Sequence, residues 1–188
     1  MAEKTFYLTF DGAVDPPGTF KILEQLDRFG IKATFFVEGH RVAGHEDTLK
    51  DMIKAGHHLG NHSFNHPSFN TLTLEQCREE VRLCDEALVN ALGLHTKLLR
   101  PPCGHLQEDQ RKLFEEMGYE IYLWTISNKD WLGPNAAAVA QRTLDLARDD
   151  KVIAVYHDFL ETTAETLSIV LPQLLDRGYR FEPIPYPV

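Results

Sequence analysis

The chain has 188 residues, 43% of them hydrophobic, which suffices for one well-buried core and falls short of two ordinary domains, so a single domain over 1–188 is expected. A formal charge of -9 and a pI near 5.4 argue against a nucleic-acid backbone or an anionic membrane as partner and leave neutral or cationic substrates. No apolar run approaches a membrane-spanning helix, and Met1-Ala2-Glu3-Lys4 leads into a strand pattern without a signal-peptide core; the expected localisation is cytoplasmic, or extracytoplasmic if an export segment has been removed.

Residues 6–10 read as a buried strand whose end delivers Asp11 into a turn-rich loop with Gly12, Asp15, Pro16, Pro17 and Gly18. Thr19 is placed to cap a helix carrying Phe20, Leu23, Leu26 and Phe29 at helical spacing, ended by Gly30. Residues 31–37 predict a second strand, 46–55 a helix with Leu49, Met52 and Ile53, and 56–60 lead into a short strand that reaches His62. His62-Ser63-Phe64-Asn65-His66 is expected to form one helical turn, capped by Asn61 or Ser63 and stopped by Pro67, with both imidazoles on one side where they can meet one metal ion.

Thr73-Leu74-Glu75-Gln76 opens a long helix with a capping-box pattern, its apolar positions Cys77, Val81, Cys84, Leu88 and Leu92 running to Gly93. A strand at 98–100, a helix at 107–117 stopped by Gly118 and a strand at 119–126 follow. Asn135 caps a helix at 136–147, residues 152–156 form an apolar strand ending at His157-Asp158, a helical region from Thr162 is interrupted near Pro172, and the last strand lies around 179–181. Cys77 and Cys84, seven apart on one helix, lie roughly 10 Å apart along its axis, and three cysteines cannot all pair, so free thiols are expected.

Strand and helix alternate throughout, which implies a mainly parallel sheet, open or closed. Asp11, His62, Arg100, Asp130 and His157 each fall at or just after the carboxyl end of a different strand, and a barrel lets five such ends converge.

With these residues assembled, the sequence resembles the polysaccharide deacetylase (NodB-homology) family, carbohydrate esterase family 4. Thr9-Phe10-Asp11, His62-Ser63-x-x-His66, Arg100-Pro101-Pro102-Cys103-Gly104, Asp130-Trp131 and Val155-Tyr156-His157-Asp158 match its five motifs in order. Residues 32–37 and 178–181 are similar to its structural signatures. The resemblance implies an α/β fold, a distorted (β/α) barrel of about seven strands.

It also implies a division of labour. His62 and His66 would hold a divalent metal, zinc first, Asp11 would be the general base, and His157 the general acid. Arg100 would pair with Asp11, Asp130 would favour protonated His157, the Cys103 backbone N–H would help stabilise the oxyanion, and Trp131, Val155 and Leu160 would line the cleft. Two positions depart from the family. The second aspartate of the first motif, usually a metal ligand, is Gly12, and Ser127 stands three residues before Asp130 where another aspartate is usual. Asp15 is then the candidate replacement ligand, in a loop that Gly12 frees and Pro16 and Pro17 stiffen. The implied function is a metal-dependent N-deacetylase of an N-acetylated glycan of chitin, chito-oligosaccharide or peptidoglycan type; the alternatives are a hydrolase of another small amide and a catalytically weakened glycan-binding member.

Overall fold

The structure is a computed structural model describing residues 4–133 and 135–187. In chain order the elements are β1 (Lys4–Gly12), α1 (Gly18–Arg28), β2 (Thr34–Val37), α2 (Glu46–Lys54), β3 (His58–Asn61), α3 (Leu74–Leu92) and β4 (Leu98–Leu99). Then come α4 (Glu108–Glu116), β5 (Glu120–Ile121), β6 (Ile126–Ser127), α5 (Ala136–Leu146), β7 (Lys151–His157), α6 (Glu161–Asp176) and β8 (Tyr179–Phe181). The chain divides into two compact units, Met1–Thr34 with Trp124–Ile184, and Phe35–Leu123 with Pro185–Val188.

In the first unit β1 and β7 pair in parallel from Thr5 opposite Lys151 to Asp11 opposite His157. β6 lies along β7, and β8 pairs with the start of β1. Phe6, Leu8 and Phe10 line one face of β1, Val152, Ala154 and Tyr156 line one face of β7, and all six are core residues. Two expectations fail here. α1 begins at Gly18, so Thr19 lies inside the helix and does not cap it, and the buried positions are Thr19, Ile22 and Leu26 while Phe20 is exposed. The Thr19 hydroxyl is held inward by a hydrogen bond to Asp158 and by the Asp15 N–H that it accepts. α6 runs unbroken through Pro172, held by the burial of Leu167, Val170, Leu171 and Leu174 along one face despite the missing N–H.

The second unit carries β2, β3, β4 and β5, adjacent in that order. β3 pairs in parallel with β4, and β4 with β5. α3 packs against α2 and α4 over a core of Phe69, Cys77, Val81, Leu99, Leu113, Phe114 and Tyr119. Both long-helix starts carry reciprocal caps, Thr73 with Gln76 and Gln107 with Gln110. The single strand expected at 119–126 is two short ones, β5 and β6, divided between the units. Cys77, Cys84 and Cys103 are free thiols. No helix among the described residues is long and apolar enough to cross a membrane.

Gly60 of β3 is set by packing: a Cβ there would lie 2.6 Å from the Phe36 ring and 3.2 Å from the Leu98 Cβ. Phe36 is itself fully buried and cannot swing aside. Gly60→Ala should cost about 1–3 kcal/mol in urea unfolding. A loss below about 0.5 kcal/mol, the level of an ordinary surface change, would show that the ring yields.

Candidate active site

The end of β7 presents His157 with its ring partner already in place. Asp130, in the turn after β6, accepts from His157 Nδ1 through Oδ1 and from the His157 backbone N–H through Oδ2, both at 2.8 Å. A carboxylate can only accept, so Nδ1 carries the proton and Nε2 is the working atom. Asp130 is itself fixed, because its Oδ1 also accepts from the Trp131 N–H at 3.0 Å and its own N–H donates to Asn128 Oδ1. Burial works against a charge on His157. The Asp130 hydrogen bond and charge, with the charges of Asp11 and Asp158, outweigh it and raise the pKa above the ordinary imidazole value.

Asp11 sits in β1 itself, directly opposite His157, and is 5% exposed. It was expected in a loop, but parallel pairing carries it to the last rungs of the ladder. The loop beyond it is tied down by Asp158, which sequence reasoning left without a role. The Asp158 carboxylate, fully buried, accepts from the Ala13 N–H at 2.9 Å and from the Thr19 hydroxyl at 2.6 Å. Thr19 Oγ1 in turn accepts from the Asp15 N–H, and the Thr19 N–H donates to the Asp15 carbonyl. Gly12 lies against this carboxylate with φ of +121°, and a Cβ built on it would be 2.7 Å from Asp158 Oδ1. Trp131 and Phe159, both half-exposed, place their rings 5.3 and 5.4 Å from the His157 ring. Val155 is buried in the core.

In the second unit His62 and His66 come together with ring centroids 4.8 Å apart. The segment does this without the helical turn expected of it: Ser63 and His66 adopt φ of +64° and +57°, in the left-handed region. The Ser63 hydroxyl, accepting from the His66 N–H at 3.0 Å, closes this alternative turn. His62 Nδ1 meets the Arg100 carbonyl at 2.8 Å, so Nδ1 bears the proton and Nε2 is the nitrogen that would ligate a metal. Arg100 is wholly buried; its Nε donates to the Tyr122 carbonyl at 3.0 Å and its guanidinium lies 4.1 Å from the centre of the Phe36 ring. Cys103 is exposed in a short 3-10 turn with φ of +59°.

For the divalent ion that the resemblance implies, these two imidazoles are donors of the right kind and spacing, and His62 carries the backbone-oriented tautomer that metal-ligating histidines use. A complete protein ligand set does not form: among the described residues no three His, Cys, Asp or Glu side chains gather into a group that could hold a metal. Asp15, the expected third ligand, belongs to no such group, and its main chain serves the start of α1.

Two outcomes follow from the geometry around His157 and Gly12. The raised pKa of His157 means that its contribution to stability is fully present below the unfolded value of about 6.5 and is lost as pH rises through the folded value. Asp130→Asn should lower the His157 pKa in an NMR titration, and its stability deficit against wild type should shrink as pH rises through that window; an unmoved pKa would discard the pairing. Gly12→Asp should cost roughly 1–3 kcal/mol in stability, since the new side chain meets Asp158 and an unfavourable φ. A thermal midpoint equal to wild type would show that the loop rearranges freely.

Comparison with known proteins places this arrangement. The polysaccharide deacetylase family profile matches residues 1–122. The peptidoglycan-N-acetylmuramic acid deacetylase PdaC of Bacillus subtilis is 31% identical over 178 residues, covering 95% of this chain but only 37% of the relative. The solved structure of the peptidoglycan N-acetylglucosamine deacetylase Bc1960 superposes with a TM-score of 0.93 at 29% identity, over 98% of this chain and 88% of that one. BA3943 of Bacillus anthracis, described as a pseudoenzyme of carbohydrate esterase family 4, superposes with a TM-score of 0.90 at 26% identity, over 97% and 64%. The fold class is the NodB-type α/β arrangement of these deacetylases. The chain belongs to the polysaccharide deacetylase family.

Proposed function

We propose that the chain hydrolyses N-acetyl groups from an N-acetylated glycan of peptidoglycan type. The observation that carries this reading is the His157–Asp130 pair, with Nε2 of His157 as the working atom and Asp11 opposite it in the ladder. An amide leaves only if its nitrogen is protonated as the bond breaks. A histidine whose pKa is raised above the ordinary imidazole value by its aspartate partner is suited to supplying that proton. Asp11 is the proposed base that takes a proton from the attacking water. Trp131 offers an exposed aromatic face beside His157 for the sugar ring. A divalent ion on His62 and His66 would supply polarisation of the acetyl carbonyl and of water.

The relatives support a glycan substrate: PdaC and Bc1960 carry peptidoglycan N-deacetylase names. A second reading, a catalytically weakened glycan binder, is favoured by Gly12 together with the lack of a three-ligand group among the described residues. Hydrolysis of another small amide remains the third member of the comparison. Acetate release from acetylated peptidoglycan fragments, chito-oligosaccharides and a panel of small amides separates them. Deacetylation of the glycans should follow a bell-shaped pH profile, and His157→Ala should lower kcat roughly a hundred- to ten-thousand-fold. Glycan binding without acetate release at any pH or metal concentration would establish the weakened reading instead.

A further inference from the structure

We infer that Glu80 of α3 is a positioning residue for the His62–His66 pair, acting through the backbone between them; the inference rests on the reading of that pair as a metal site. Five successive N–H groups, from His62 to His66, each have a partner. His62 donates to the Val37 carbonyl at 2.9 Å, Ser63 to Asn61 Oδ1 at 2.8 Å, and His66 to Ser63 Oγ at 3.0 Å. The two in the middle go to one carboxylate. Glu80 Oε2 accepts from Phe64 at 3.1 Å and from Asn65 at 2.7 Å, while Oε1 accepts from the Asn65 side-chain amide at 2.9 Å.

This matters because the turn is not one the chain adopts by default. Ser63 and His66 both hold positive φ, a conformation that non-glycine residues keep only where their surroundings over-determine it. The two histidines are anchored unequally. His62 lies at the end of β3, with its ring bonded to the Arg100 carbonyl and its N–H to Val37. His66 follows the strained turn, and the carboxylate that grips Phe64 and Asn65 sets where the chain goes before it arrives. On the carbonyl side the Gly39 N–H meets Ser63 and the His40 N–H meets Phe64, so the segment is held from two directions, with Glu80 taking its central amides.

A second α3 carboxylate, Asp85, differs in kind. It accepts from the Asn61 side chain and from the Tyr119 hydroxyl within the core, so its removal would strike the fold. Glu80 stands at a partly exposed position over Asn65, where water can satisfy freed amides. Its loss should therefore loosen the turn and leave the unit folded.

The test uses the full chain and cobalt(II) as probe, followed by calorimetry and by the ligand-field absorption of the bound ion. Glu80→Ala should weaken cobalt affinity at least about tenfold, the scale set by residues that orient metal ligands, with little change in the metal-free thermal midpoint. Glu80→Gln keeps an acceptor oxygen for the two amides and drops the charge, so it should recover most of the affinity. In the metal-free protein, exchange of the Asn65 amide should quicken at least about tenfold in Glu80→Ala. Wild-type affinity in Glu80→Ala, an unchanged Asn65 exchange rate, or a Gln variant as weak as the Ala variant overturns the positioning role. A wild-type chain that binds no cobalt instead overturns the metal reading of the pair, and this role with it.

Discussion

Register between β1 and β7 is the constraint on which the pairing of Asp11 with His157 depends. With Thr5 opposite Lys151, Asp11 arrives opposite His157, and a slip of one residue would turn Phe6, Leu8 and Phe10 away from the side they now fill. The apolar content of the two strands thus protects a polar pairing at their ends. Placing a carboxylate and an imidazole side by side would be of little use if either could swing. Asp130 removes that freedom by taking both the ring and the backbone N–H of His157, and Asp158 does the same for the loop that follows Asp11. Three acidic groups bearing on one imidazole also explain why its charge survives burial.

In the second unit the constraint is backbone strain. Two residues of the turn from His62 to His66 occupy the left-handed region, each at a cost on the order of 1 kcal/mol or more, and helix α3 together with the 39–41 turn offsets that cost with hydrogen bonds. Strain retained at such a cost beside two converging imidazoles is what a functional site looks like in the backbone. The same convergence does not require an α-turn, and a reading of residues four apart as one helical face reached a correct juxtaposition through the wrong conformation.

Local signals explain what was legible in the sequence. The Thr73 box, the Asn135 cap and the glycines that end helices act within a few residues, and they appear where their chemistry puts them. His157 with Asp130 was legible because five spaced motifs matched a family and the chemistry of each had a partner. What could not be read depends on distant contacts. Thr19 looked like a cap because its inward partner, Asp158, is 139 positions away. Pro172 looked like a break because the burial that carries α6 across it is set by packing. Glu80 looked like one more charge on a solvated helix face, and nothing near it in sequence announces the amides it holds. Asp158 had the clearest missed signal, adjacent as it is to His157 within a matched motif.

Gly12 gains its meaning from that last residue. Loss of a metal-ligand carboxylate by substitution alone would leave space for its return. Here the space is used: Asp158 Oδ1 lies where a side chain at residue 12 would begin, and the same carboxylate carries the Ala13 N–H and the Thr19 hydroxyl. Moving it to admit a residue at 12 would release the loop that follows Asp11, and with it the arrangement on which the proposed base depends. A side chain at 12 and the present role of Asp158 therefore exclude one another. The aspartate usual at this position of the family is thus shut out by the loop geometry as well as by the sequence, and among the described residues no group of three His, Cys, Asp or Glu side chains takes its place.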